Sequence, residues 1–218
     1  TTPSIAMIPS GYKANKVYSV LPTDGSGDLV TARTSTATRV NSDGLIEEVA
    51  IGVPRLDYTD GSCPSLLLEP ASINLITQSE AFDNAYWAKS GATVTSGFSA
   101  PSVDSPLGAF KLVEDSANSF HYLIAFPTIG ATAVAFSFYA KPSERTSVSA
   151  FLSQSGNNGA TFDLVAKTAI ASGTGNTASI KELSNGWFKC VVSNDGGSLV
   201  GSQVRIGVQN GALVGYQG

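Results

Sequence analysis

The sequence predicts an all-β protein: an N-terminal β-hairpin arm followed by an antiparallel β-sandwich of the jelly-roll kind. Three observations predict it. Apolar and polar residues alternate with period two in many short runs. Clusters of Gly, Pro, Asn and Asp separate those runs at short intervals. Helical periodicity is almost absent.

The arm comes first in the chain. Lys16–Leu21 reads as one strand. Segments 31–40 and 45–50 flank Asn41-Ser42-Asp43-Gly44, a good hairpin turn. Segments 53–58 and 65–69 flank Thr59-Asp60-Gly61-Ser62-Cys63-Pro64, a second hairpin. The first hairpin offers mainly Val30, Val40, Leu45, Ile46 and Val49. Such strands bury little surface alone. The arm, residues 1–76, is therefore expected to pack on something beyond itself, either the following domain or another chain.

Residues 79–87 carry the best helical signal, with Ser79 as a cap, but Gly91 limits it to two turns. The remainder, residues 77–218, reads as the sandwich. Phe110 and Leu112 open it, then Tyr122, Ile124 and Phe126. Val134, Phe136, Phe138 and Ala140 form one apolar face, with Tyr139 on the other side. Val148, Ala150 and Leu152 alternate with Ser147, Ser149 and Ser153. Phe162, Leu164 and Ala166 follow, then Phe188, Cys190 and Val192, then Val204, Ile206 and Val208. Turns are expected at 106–108, 141–143, 156–159 and 194–197.

Composition narrows the function. The 218 residues are only 14% charged, against about 25% in ordinary domains. Ser and Thr make up more than a fifth of them. Disorder is excluded by ordinary apolar content and low charge. No run approaches the ~18 apolar residues of a membrane helix, so no membrane insertion is expected. Net charge is −4 with no basic block, which argues against nucleic acid and anionic membranes as partners. No secretory leader pattern opens the chain. Cys63 and Cys190 form no disulfide framework, and Cys190 reads as a buried small hydrophobe.

Residues fit for chemistry are sparse. His121 is the one histidine, and an ordinary exposed or edge role is expected for it. No G-x-S-x-G elbow occurs. One His and two distant Cys assemble no metal cluster, and Asp104, Glu114 and Asp115 lack calcium-ligand spacing. Gly25-Ser26-Gly27 and Gly173-Thr174-Gly175 lack the rest of a dinucleotide loop. No catalytic, cofactor-binding or metal-ligating residue is assigned, no cofactor is expected, and the protein is not expected to be an enzyme. Glycan binding is the main alternative, because lectin-like sites use exposed aromatics as stacking platforms. Among Tyr86, Trp87, Tyr122, Tyr139, Trp187 and Tyr216, the two tryptophans sit beside Phe82 and Phe188 and are assigned to the core. Tyr139 and Tyr122 are the candidate glycan-binding residues. A polysaccharide-degrading enzyme is a further alternative, requiring two carboxylates within about 5–10 Å in a groove.

A series of segments carries a resemblance: 9–13 (PSGYK), 18–28 (YSVLPTDGSGD), 32–41 (ARTSTATRVN), 44–47 (GLIE), 53–58 (VPRLDY), 66–70 (LLLEP), 74–76 (NLI), 79–82 (SEAF) and Trp87. In that order they resemble a module of tailed-bacteriophage virion proteins, found in head fibres, tail fibres and related appendages. In that family the arm precedes a jelly roll similar to carbohydrate-binding modules, and 185–190 (NGWFKC) looks like its late strand. The resemblance implies a structural virion component, a fibre or capsid-decoration subunit attached to capsid or tail proteins. It implies a homo-oligomer, often a trimer, located in the virion and assembled in the host cytoplasm, with host-surface glycans as further partners. It supplies no catalytic residues. Because the family continues past the last strand, the sandwich is expected to be incomplete, or completed elsewhere, at its C-terminal strand.

Overall fold

The computed structural model of the protein describes residues 3–70, 72–129, 133–152, 158–195, 203–209 and 216–217. They are nearly all β, in antiparallel sheets, as the alternation predicts. The chain divides into two units: Thr1–Ser72 with Pro101–Pro106, and Ile73–Ala100 with Leu107–Gly218.

The first unit consists of small sheets. β1 (Ala6–Lys13), β2 (Lys16–Leu21) and β3 (Leu29–Val30) lie side by side in that order. β4 (Ala37–Val40) pairs with β5 (Ile46–Val49), and β6 (Leu56–Asp57) with β7 (Ser65–Leu66). The predicted turn between β4 and β5 forms as expected. Asn41 Oδ1 accepts the Asp43 and Leu45 N–H groups, and Gly44 adopts φ 74°. Most arm strands are shorter than predicted, because side chains rather than neighbouring strands take up much of the backbone. Segment 101–106 joins this unit through its backbone. Ile46 N–H donates to Pro101 O at 2.7 Å, and Asp104 accepts the Glu48 N–H at 2.7 Å.

Few apolar side chains are buried in this unit; Val17, Val49 and Leu56 are the main ones. Carboxylates hold the backbone instead. Asp28 accepts the Ser19 N–H at 2.8 Å, the Ser19 hydroxyl at 3.1 Å and the Lys16 ammonium at 3.2 Å. Asp57, largely buried, accepts the Val40 and Thr59 N–H groups at 2.9 Å. Arg39 and Glu47 pair across β4 and β5 at 2.6 Å. Gly52 is required at its position. With φ 72° it tolerates no ordinary side chain, and a Cβ would lie 2.1 Å from Asn15 Oδ1.

The second unit contains β8 (Ala88–Ser90), β9 (Ala92–Phe98), β10 (Ala109–Glu114), β11 (Asn118–Ser119), β12 (Tyr122–Ala125), β13 (Ala133–Ala140) and β14 (Ser147–Phe151). It continues with β15 (Gly159–Asp163), β16 (Thr168–Ser172), β17 (Asn176–Glu182), β18 (Phe188–Asp195), β19 (Val204–Gln209) and β20 (Tyr216–Gln217). A six-stranded sheet runs β16-β15-β14-β19-β12-β8, and a three-stranded sheet runs β13-β18-β17. β9 pairs with β10, and β11 with β20.

One apolar cluster draws on both larger sheets. Phe136, Phe138, Phe188, Cys190 and Val192 come from the three-stranded sheet. Leu123, Val148, Ala150, Phe162, Val204 and Ile206 come from the six-stranded one. The Phe138 and Phe162 rings meet edge to face at 5.7 Å. Trp87 belongs to the same cluster, packed on Phe82 and Tyr86, and its indole N–H donates to Gln78 O at 2.7 Å. Both tryptophans are buried, as assigned.

Four expectations are corrected. Residues 79–87 form successive turns rather than a helix, closed by Asn84 N–H to Ala81 O and Trp87 N–H to Asn84 O. Anchoring Trp87 in the core outweighs a marginal two-turn helix. Ser147 and Ser149 are buried rather than solvent-facing, because β14 is an interior strand flanked by β15 and β19. Ala166 lies in an exposed turn, since β15 ends at Asp163, whose carboxylate accepts the Val165 and Ala166 N–H groups. His121 is buried rather than exposed. The predicted turns at 156–159 and 194–197 fall partly outside the described residues, and Ser153 falls wholly outside them.

Two outcomes follow from these contacts. Phe162→Ala should destabilise the second unit by about 3–5 kcal/mol, read as an earlier chemical unfolding transition by tryptophan fluorescence, since Trp87 and Trp187 both lie in that unit. A shift under about 1 kcal/mol would contradict a single shared core. For the first unit, the Ser19 N–H holds the Asp28 carboxyl below its ordinary value, with Lys16 assisting and burial opposing. A depressed carboxylate stabilises the fold above the unfolded value of about 3.9 and loses that contribution as pH falls through the folded value. Asp28→Asn should therefore lower the melting of the tyrosine signal at neutral pH, and the gap to wild type should close below about pH 4.

Candidate functional site

Two surfaces and one buried group could carry function. The first surface is on the β1–β2–β3 sheet. Register places Lys16 opposite Val30, and alternation along β2 puts Tyr18 and Val20 on that same face. The opposite face holds Val17, buried opposite Leu29. Tyr18 is 39% exposed, Val20 48% and Val30 72%. Ile8 on β1 is also exposed, as are Ile51 and Leu68 elsewhere in the unit. The Lys13 and Lys16 ammonium groups lie 5.6 and 5.9 Å from the centre of the Tyr18 ring. The result is a strip of apolar surface with a basic margin.

The second surface is the outer face of the three-stranded sheet. Tyr139 on β13 lies directly opposite Lys189 on β18, which lies directly opposite Lys181 on β17. Phe138, Cys190 and Ile180, one residue away on each strand, point to the core side. Tyr139 is 40% exposed, so this candidate is an accessible aromatic. Tyr122 is placed differently. It sits on β12 in the six-stranded sheet, half-buried, with the Arg205 guanidinium 5.0 Å from its ring centre and Phe120 at 6.5 Å. One face of its ring is occupied by Arg205, and the structure puts the two candidates in different sheets. The Tyr216 side chain lies outside the described residues.

His121 is the buried group. Its Nδ1 lies 2.6 Å from Gly91 O, and only a protonated Nδ1 can donate to that carbonyl. Asp115 approaches the same nitrogen at 3.5 Å. Gly91 adopts φ 59°, and a Cβ there would fall 2.7 Å from Phe120 O. This arrangement ties the start of β9 to β12 and leaves the imidazole only 3% exposed, shut away from any substrate. The carboxylates weighed for calcium have local partners: Asp104 accepts the Glu48 N–H, Glu114 pairs with Arg145, and Asp115 lies 3.5 Å from His121 Nδ1. Elsewhere Glu47 pairs with Arg39 and Asn41, and Glu144 with Lys111 at 2.6 Å. Lys111 and Ser143 hold the Glu144 carboxyl down at about 2.

Lys181 and Lys189 were missed as site residues by sequence reasoning. Each stands out of phase with the apolar residues of its own strand, so each reads as a solvated lysine. Their pairing with Tyr139 depends on which strands are neighbours, and no local pattern carries that. No protein-family model matches the chain, and no curated protein sequence matches it significantly.

The thiols give a direct check of burial. Cys63 is exposed, and burial pushes the Cys190 thiol up to about 12. A thiol-titrating reagent at neutral pH should count Cys63 in the native protein and count Cys190 only after denaturation. Native-state reaction of Cys190 would contradict the packing of β18.

Proposed function

We propose that this chain is a structural subunit of a bacteriophage virion. It serves as a fibre or decoration protein on capsid or tail, assembled through its first unit and carrying no enzymatic activity. The observation supporting this is the exposed apolar surface of the first unit: Tyr18, Val20 and Val30 on one face of β2 and β3. Exposed contiguous apolar surface marks an interaction site in a stable protein. A standard interface covers about 800 Å² on each partner. The first unit fits that role, being held by carboxylate-to-backbone hydrogen bonds and leaving apolar side chains over for a partner. The partners of this reading are copies of the same chain and capsid or tail proteins.

Glycan recognition is a second reading, favoured by the exposed Tyr139 ring on the three-stranded sheet. It is compatible with the first, because it uses a different unit.

Val20→Asp with Val30→Asp tests the assembly reading. Both residues are exposed, so the melting temperature should move by less than about 2 °C. Self-association by light scattering, or incorporation into particles, should fall by about tenfold or more. A wild-type chain that stays monomeric and joins no particle would remove the proposal.

A further inference from the structure

We infer that Arg205 and Gln203, on the outer face of the six-stranded sheet, form a binding site for a carboxylate. The site uses neither the apolar surface of the first unit nor Tyr139, so it goes beyond both readings above.

Arg205 is the odd arginine of the chain. Four of the five arginines have their charge answered. Arg39 pairs with Glu47, Arg55 with Glu69 and Arg145 with Glu114. Arg33 donates to the backbone carbonyls of Ser35, Val49 and Ala50. Arg205 is half-buried, and its partners among the described residues are neutral. Its Nε donates to Gln203 Oε1 at 2.8 Å, and its guanidinium lies 5.0 Å from the centre of the Tyr122 ring. The ring attracts the cation without neutralising it. Taking a cation out of water costs free energy that a counter-charge normally offsets. The Nη groups remain for one.

The sheet explains the placement. Val204 and Ile206 point into the shared core, so Gln203 and Arg205 point outward. Register sets Arg205 between Phe151 on β14 and Ile124 on β12, both buried. Tyr122, opposite Gly207, is its diagonal neighbour. The guanidinium therefore rests on an apolar floor, and stacking on the ring fixes its plane. Gln203 is 3% exposed and commits its Oε1 to Arg205. Its Nε2 makes no hydrogen bond among the described residues. The sealed polar atoms without partners lie elsewhere, at Tyr86, Glu114, Thr161 and Ser172, so the Gln203 nitrogen reaches the surface.

These donors set the ligand class. Paired guanidinium N–H groups match the two oxygens of a carboxylate. Gln203 Nε2 adds a further donor beside them. One cation balances one negative charge. A phosphate group carries about −1.5 to −2 at neutral pH, and a chain at −4 repels the excess. The exposed rings of Phe120, 6.5 Å from Tyr122, and of Phe126, just past β12, offer contact to the body that bears the carboxylate. That body is a sugar ring or an apolar group, and the carboxylate is common to both.

The intact chain is titrated by calorimetry with galacturonate and N-acetylneuraminate, as sugar-borne carboxylates, and with benzoate, as an apolar one. The methyl ester of galacturonate and inorganic phosphate are the controls. At least one carboxylate should bind with about millimolar affinity or better, more weakly at high salt. Binding by the sugar acids alone assigns a sugar-borne source, and binding by benzoate assigns an apolar one. Arg205→Gln should weaken binding about tenfold or more. Because that variant also removes the contact with Tyr122, Gln203→Glu is the second test. It supplies Arg205 with a carboxylate of its own, so it should block the ligand and raise the melting temperature by about 2 °C or more. Silence toward all three carboxylates overturns the site. So does equal binding of the methyl ester or of phosphate, or binding that survives Gln203→Glu. A melting temperature that fails to rise in Gln203→Glu shows that Arg205 lacks no counter-charge, and overturns the inference as well.

Discussion

The edge-to-face meeting of Phe138 and Phe162 joins the two larger sheets of the second unit. Phe138 belongs to the three-stranded sheet and Phe162, fully buried, to the six-stranded one. Each sheet alone would expose an apolar face to water. Sharing one cluster removes both faces from solvent, and fully burying a side chain of this size contributes about 1.5–3 kcal/mol. Other features of the unit follow from that cluster. Trp87 abandons a helical start to enter it. Cys190 loses its acidity inside it. The outward residues of β13, β17 and β18 are fixed in register because their inward neighbours are committed to it.

The first unit is organised by a different kind of force. Its strands are two to eight residues long and its buried apolar residues are few. Asp28, Asp57 and Asn41 supply acceptors to backbone N–H groups that a wider sheet would have paired. The bonds to Asp28 and Asp57 are charge-assisted, directional and strong enough to fix a loop-rich chain. They bury little apolar surface, so side chains such as Val20 and Val30 stay at the surface. In an ordinary domain these would be a liability. Under the assembly reading they would be the material of an interface.

The two functional readings therefore draw on different physics in different units. Assembly would use apolar area, which is non-directional and grows with contact. Glycan recognition would use an exposed aromatic ring, Tyr139, which gives orientation. Neither needs a nucleophile or a general base, and the one histidine is committed to holding Gly91 and β12.

Much of the fold was legible in the residue order, because a strand with one buried face writes its period directly into the sequence. Lys16–Leu21, the turn after Val40 and the apolar faces of β13, β15 and β18 were read in this way. β1, β16 and β17 escaped notice, because exposed or edge strands such as Asn176–Glu182 carry few large apolar residues. The burial of Ser147 and Ser149 was also hidden, since an interior strand is flanked on both sides and local alternation does not report that. Of the candidate site, Tyr139 was legible from its phase opposite Phe138. Lys181 and Lys189 were not, because strand order is a long-range property: β13 and β18 lie some fifty residues apart, and only folding sets their register. The sequence by itself determined which residues turn inward and where the chain turns. The tertiary structure alone decided which outward residues become neighbours, because hydrophobic burial is indifferent to what it brings together on the other side of a sheet.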